Sequence, residues 1–239
     1  MLSIKNLTKK FGAFTAVNSI SLEVNPGDTY GFLGPNGAGK TTTLKIISGL
    51  YSPTSGEVLI DGLNNQKFPL KTKSVIGYVP DQPFLYDKLT GREFLYFSGG
   101  LYNLDNSALN SGVDKIIGEL NIGEWIDKRT EEYSQGMRQR ITIASAFLHS
   151  PRLILVDEPM VGLDPQSAVI VKKLFKQKAE EGTAILMSTH SLTVAEEVCN
   201  KIAIIKDGQI IFDGDKEAVD DFKEKSKLNF ESFFLELTK

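Results

Sequence analysis

The chain has a single cysteine, one tryptophan and two histidines in 239 residues, and none of its apolar runs approaches the ~20 residues needed to span a bilayer. Cys199 cannot close an internal disulfide. It sits in a stretch of helical pattern and reads as a small buried apolar residue. A disulfide-stapled scaffold is therefore excluded, and a reducing cytoplasm is the expected compartment. The opening Met1-Leu2-Ser3-Ile4-Lys5 lacks the basic-then-apolar layout of a leader peptide. An excess of one charge is missing too: 27 Lys and Arg against 30 Asp and Glu leave a net charge of −3, with the signs interspersed. That balance argues against a nucleic-acid-binding surface. No internal repeat, low-complexity tract or Gly/Pro-rich linker divides the chain, whose length suits one large α/β domain or two small ones.

What the chain does have is Gly34-Pro35-Asn36-Gly37-Ala38-Gly39-Lys40-Thr41, a full match to the P-loop pattern G-x-x-x-x-G-K-[ST]. Gly34, Gly37 and Gly39 allow the backbone to fold tightly so that its N–H groups converge on phosphate oxygens. Lys40 is placed to reach the β- and γ-phosphates, and the Thr41 hydroxyl to ligate Mg²⁺. The flanks agree: Thr29–Leu33 is a short apolar strand candidate leading in, and Lys40–Leu50 a helix candidate leading out, with Gly49 near its end.

Along the chain, Ile20, Leu22 and Val24 alternate with polar residues as in a half-buried strand. Glu57–Ile60 and Ser74–Val79 are further strand candidates. From about residue 90 to 150 apolar residues take helical spacing instead, in Arg92–Phe97, Val113–Leu120 and Arg138–His149. Strand character returns at Leu153–Val156 and Ala184–Met187, unbroken apolar runs of strands buried on both faces. Between them Asp164-Pro165 supplies an N-cap and first-turn proline for a helix running to about Glu181, and a short helix follows around Thr193–Cys199. Ile202–Ile205 and Ile210–Phe212 flank Lys206-Asp207-Gly208-Gln209 as a hairpin. From Phe222 onward the pattern is an amphipathic helix.

A second chemical constellation is Asp157-Glu158, two carboxylates closing a buried parallel strand, where open α/β sheets bind ligands. Asp157 suits Mg²⁺, and Glu158 suits orienting or deprotonating a water that attacks the γ-phosphate. Ser134 and Gly136, in Tyr133-Ser134-Gln135-Gly136-Met137, precede a helix. They read as an N-cap or as an anion site at a helix start.

In these residues the chain resembles, from end to end, the nucleotide-binding subunits of ATP-binding-cassette (ABC) transporters. The P-loop, the helical block, Tyr133–Met137 in place of the family's Leu-Ser-Gly-Gly-Gln signature, Asp157-Glu158, Gly162-Leu163-Asp164 (the D-loop) and His190 after Ser188-Thr189 stand in family order at family spacing. The resemblance implies a P-loop NTPase core of α/β class, a RecA-like mixed sheet flanked by helices, with an N-terminal antiparallel β subdomain and a helical signature subdomain. The core would occupy 1–89 and 151–221 of a single ATPase domain, the helical part 90–150 and a tail helix 222–239. ATP and Mg²⁺ are the implied cofactors, with residues 34–41 and Thr42 around the phosphates and Phe11 stacked on adenine. Glu158 and His190 are the implied catalytic pair, and Asp164 an implied dimer contact. Ser134 and Gly136 would cap the ATP of a second subunit, identical or paralogous, in a head-to-tail dimer. The family's metal-contacting glutamine falls at Asp81 or Gln82. Phe84, Leu85 and Tyr86 form the expected docking surface for a separate integral-membrane permease, which places the protein peripherally on the inner face of the cell membrane. The signature and the Pro80–Tyr86 stretch resemble bacterial export cassettes. Family ATPases that act on ribosomes or DNA typically carry two cassettes or a long coiled coil, and a purely regulatory cassette would lack the base or the P-loop lysine.

Overall fold

Two sheets and a layer of helices account for the computed structural model, which describes residues 1–220 and 229–238. Strands β1 (Leu2–Phe11), β2 (Phe14–Val24), β4 (Ser55–Ile60) and β5 (Leu63–Asn64) form an antiparallel sheet in the order β2-β1-β4-β5. The second sheet has six strands: β3 (Thr29–Leu33), β6 (Ile76–Val79), β7 (Leu153–Asp157), β8 (Ala184–Thr189), β9 (Lys201–Lys206) and β10 (Gln209–Asp215). Its order is β10-β9-β3-β8-β7-β6, parallel throughout except for the edge hairpin β9-β10. The helices are α1 (Lys40–Ile47), α2 (Pro69–Lys73), α3 (Gly91–Gly100), α4 (Asn106–Leu120), α5 (Gln135–Phe147), α6 (Pro165–Glu180), α7 (Leu192–Val198) and α8 (Phe230–Thr238).

The unbroken apolar runs in β7 and β8 have a direct structural cause. Alternate residues feed two separate cores. Leu153, Leu155, Ala184 and Leu186 pack with α1 and the antiparallel sheet, while Ile154, Val156, Ile185 and Met187 pack with the helices α3–α7. The parallel sheet is thus the shared middle layer of the molecule, and the helical block at 91–147 shares a core with it. Cys199 is buried, and burial pushes its thiol up to about 12, which leaves it inert.

Several boundaries differ from the sequence expectation. α1 ends at Ile47 rather than Leu50, because Gly49 takes φ +74 and turns the chain. The strand expected from Ser74 begins at Ile76, since Ser74 closes the short helix α2, its N–H bonding the Leu70 carbonyl. Of the amphipathic tail, residues 222–228 lie outside the described residues. α8 starts at Phe230, and Phe230 and Phe233 are buried.

The end of α5 carries a pH-sensitive contact. His149 stacks flat on Tyr102 (ring centroids 3.6 Å apart, planes within 6°), with Nε2 2.9 Å from the Ile76 carbonyl. A carbonyl only accepts, so Nε2 bears the proton, and Nδ1 is left buried without a partner. Burial pushes this histidine down to about 4, only partly opposed by the bond to Ile76. Because the folded value lies below the ordinary one, His149 favours folding above about pH 6.5. That contribution is lost as pH falls toward about 4. Urea denaturation across this window should show the wild type losing more stability on acidification than His149→Phe, which keeps the stack without the titrating ring. Equal losses would remove His149 from the acid response.

Candidate functional site

The carboxyl ends of four parallel strands converge on one edge of the sheet. Leu33 of β3 pairs with Thr189 of β8, and Asp157 of β7 with Ser188 of β8, so these strands finish level. Val79 of β6 pairs with Val156. The segments that follow, residues 34–39, Glu158, His190 and Asp81, therefore emerge side by side, which is where open α/β sheets hold ligands.

Gly39 is the N-cap of α1 with φ +108, and a side chain there would run into the Ala16 carbonyl. Only glycine meets both demands. No side chain caps α1, so its first N–H groups face the space where an anion binds. Lys40 folds back over the loop, donating to the carbonyls of Gly34 (2.7 Å) and Pro35 (3.1 Å). Burial pushes its pKa down, while Glu158 and Asp157 pull it up.

Opposite stands Asp157, 1% exposed. Its Oδ1 accepts the Ser188 hydroxyl, and its Oδ2 is buried without a hydrogen-bond partner. Such an orphaned carboxylate oxygen is unfavourable unless a ligand completes it. Glu158 has φ +51, a left-handed conformation that costs a non-glycine residue about 1–3 kcal/mol. That turn aims its carboxylate back at β8, where Oε2 accepts from Thr189 Oγ1 (3.1 Å) and Oε1 lies 2.9 Å from His190 Nδ1.

Together these groups line a cavity of about 470 Å³. Its walls are Asn36, Gly37 and Gly39–Thr42 of the P-loop, Asp81, Asp157, Glu158, Val161 and His190, with Phe14 and Ala16 from β2. Of the two metal-contact candidates, Asp81 lines it and Gln82 does not. Phe11 also lies outside this lining, packed edge-on against Tyr51 (5.8 Å) under the Lys9 ammonium (4.9 Å). Phe14 was not anticipated, because the alternation that marks β2 is clear only from Ile20 onward.

Ser134 and Gly136 lie elsewhere. Ser134 caps α5, accepting from Met137 N (3.3 Å), and is itself exposed. A Cβ on Gly136 would sit 2.9 Å from the Gly162 carbonyl, so glycine lets α5 approach the loop after Glu158. Gln139 adds a bond from Nε2 to the Pro159 carbonyl (3.3 Å). Tyr133, standing where the signature has leucine, is buried with its hydroxyl donating to the carbonyls of Trp125 and Ile126 (3.2 Å each). Asp164 caps α6, and the Ser167 hydroxyl and N–H hold its carboxyl below the usual carboxylate range.

The expected docking stretch needs one correction. Leu85 is 5% exposed, in the core with α3 and α5, because its side chain turns inward between two that turn out. The exposed surface is aromatic: Phe84 (75% exposed) meets Tyr86 edge-on at 5.6 Å, and Tyr86 meets Phe97 of α3 at 5.2 Å.

The family model described as ABC transporter matches residues 17–161. The linearmycin resistance ATP-binding protein LnrL of Bacillus subtilis is 37% identical over 216 residues, covering 90% of this chain and 70% of LnrL. A solved structure described as the ATP-binding subunit of an ABC transporter superposes with a TM-score of 0.93 at 29% identity, covering all of both chains. The ATP-binding cassette MJ0796, solved as a dimer in a post-hydrolysis state with ADP and phosphate, superposes with a TM-score of 0.81 at 27% identity, covering 90% of this chain and 98% of that one.

Proposed function

The chain belongs to the ABC transporter family and is an ATPase cassette, and from that premise we propose that it powers export through a separate membrane permease as a head-to-tail dimer. One observation carries the dimer reading. A single chain gathers Lys40, Asp157, Glu158 and His190 in one cavity and leaves Ser134 and Gly136 outside it. A second copy or a paralogous subunit supplies them, so that ATP lies between two chains. The dimeric state of MJ0796 supports this arrangement.

In this reading the N–H groups of 34–42 and the Lys40 ammonium hold the phosphates, and Phe11 flanks the adenine. Glu158 orients or deprotonates the attacking water, and His190 contacts the γ-phosphate. Phosphoryl transfer asks for positioning and charge neutralisation more than covalent chemistry, which suits a site of fixed donors. Asp157 Oδ2, buried and unpaired, and the Thr41 hydroxyl fit a hard, oxygen-ligated ion such as Mg²⁺ that keeps part of its water shell. When bound, that ion supplies further charge neutralisation at the phosphates. Asp81 is its third candidate contact. Asp164 stands at the dimer interface, and residues 90–150 act as a helical unit inserted between the two parts of the nucleotide-binding core.

Among the described residues no helix is long and apolar enough to cross a membrane, so the permease is a separate partner and the cassette sits at the inner membrane face. The resistance role in LnrL's name supports export. The Phe84–Tyr86–Phe97 surface is the docking face, since an aromatic cluster in water is the kind of patch that marks an interaction site. Phe84→Glu should abolish co-purification with the permease encoded beside this gene while nucleotide affinity stays at the wild-type value. Leu85 is unsuitable for this test because a charge there disrupts the core. Undiminished co-purification would refute docking at this face.

A further inference from the structure

We propose that Phe14 is a direct contact for the nucleobase, a role distinct from that of Phe11 and resting on the ATP-binding reading above. Phe11 and Phe14 are the last cross-strand pair of the β1–β2 hairpin, joined by Gly12-Ala13. Residues directly opposite each other in an antiparallel pair share one face of the sheet. The two rings nonetheless have different surroundings. Phe11 is engaged within the protein, by the edge of Tyr51 and by the Lys9 ammonium. Phe14 instead lines the phosphate cavity, beside Ala16, Asn36 and Gly37. It is 62% exposed, and among the described residues neither a second ring nor a cation stacks on it.

The geometry of the rest of the cavity restricts what can lie there. Lys40, the start of α1, Asp157 and Glu158 define the phosphate end. Phe14 is the one aromatic side chain among the cavity walls, and every other wall toward it is backbone, alanine or asparagine. A nucleotide whose phosphates are held at the P-loop must place its base against some flat apolar surface to recover the cost of ordering it, and Phe14 offers one at the mouth. Base–aromatic stacking is tolerant of sequence because every base has a π-face, and it is strong enough to change affinity about tenfold. Phe14 therefore sets affinity for the base rather than for the phosphates.

The test compares ATP with inorganic tripolyphosphate, which has the phosphates and no base. Titrated into purified wild type and Phe14→Ala, ATP should bind the variant about tenfold more weakly, while tripolyphosphate binds both equally. Phe14 is exposed on a hairpin, so the variant keeps the wild-type thermal midpoint. Phe14→Trp should retain ATP affinity, and its indole emission should respond to ATP and not to tripolyphosphate. Wild-type ATP affinity in Phe14→Ala overturns the proposal, as does an equal loss for both ligands, which would place the effect at the phosphate loop. If the wild type binds tripolyphosphate but gains nothing from the base, Phe14 is excluded and the phosphate site stands. Wild type that binds neither ligand overturns the underlying reading as well.

Discussion

Glu158→Gln is expected to bind ATP at least as tightly as the wild type and to hydrolyse it roughly 10²–10⁴-fold more slowly, the range that a positioned general base contributes. The substitution is nearly isosteric, and the amide oxygen can still accept from Thr189 Oγ1, so the left-handed turn at Glu158 and the end of β8 keep their geometry. What disappears is a negative charge facing the γ-phosphate end of the cavity. Glu158 and Asp157 both act on the Lys40 ammonium, so removing one carboxylate relieves repulsion of the incoming phosphates and ATP binding does not suffer. Turnover does, because an amide cannot take a proton from water. The ATP-bound dimer should therefore accumulate. Size-exclusion chromatography with ATP and a phosphate-release assay measure the two consequences separately. A variant that hydrolyses ATP at the wild-type rate would show that the base is another group.

How much of this was legible beforehand follows from how local each signal is. The P-loop and Asp157-Glu158 are contiguous, and the strands β3, β7 and β8 that carry the site announce themselves as unbroken apolar runs because both their faces are buried. β1 was harder to see. Its ten residues include Lys5, Lys9 and Lys10, its pairing with β2 shifts register three times, and only Leu2, Ile4 and Leu7 are buried. Leu85 and Phe97 illustrate the opposite failure. Whether an apolar residue on a loop turns in or out depends on the helix it meets, and no periodicity within the loop reports that. Phe14 was invisible for a similar reason, since lining a cavity is a property of the β1–β2 hairpin and the P-loop together.

The packing of α5 also bears on how two sites communicate. The residues that would cap a partner's ATP lie at the start of a helix whose backbone touches the loop following its own chain's Glu158, through Gly136 against Gly162 and Gln139 against Pro159. A displacement of the signature in one site is thus felt within one hydrogen bond of the base in the other. Such a short, close-packed link is the physical element that coupling between two sites requires.

Lys40→Ala provides the second large effect and, combined with a signature variant, decides whether the site is composite. The ammonium is buried among two carbonyls and two carboxylates, and truncating one partner of a buried charge pair costs about 2–5 kcal/mol, a loss of roughly 30-fold or more in ATP affinity. The fold tolerates the change, because the cavity is open and water can serve the Gly34 and Pro35 carbonyls. Ser134→Arg has the reverse phenotype. Ser134 is exposed, so the bulkier side chain is accommodated with the loss of a cap worth about 1 kcal/mol, ATP still binds at the intact P-loop, and hydrolysis fails because the partner's nucleotide is no longer capped. Each variant alone is then inactive for a different reason. Mixed in equal amounts they should regain activity, since a heterodimer pairs the sound P-loop of one chain with the sound signature of the other, and statistical pairing leaves about a quarter of all sites intact. Complementation of this kind is impossible if Ser134 serves the ATP of its own chain, because then neither subunit carries a complete site in any pairing. Persistent inactivity of the mixture, with heterodimers present by native mass spectrometry, would therefore refute the in-trans role of Ser134 while leaving the phosphate-binding role of Lys40 untouched.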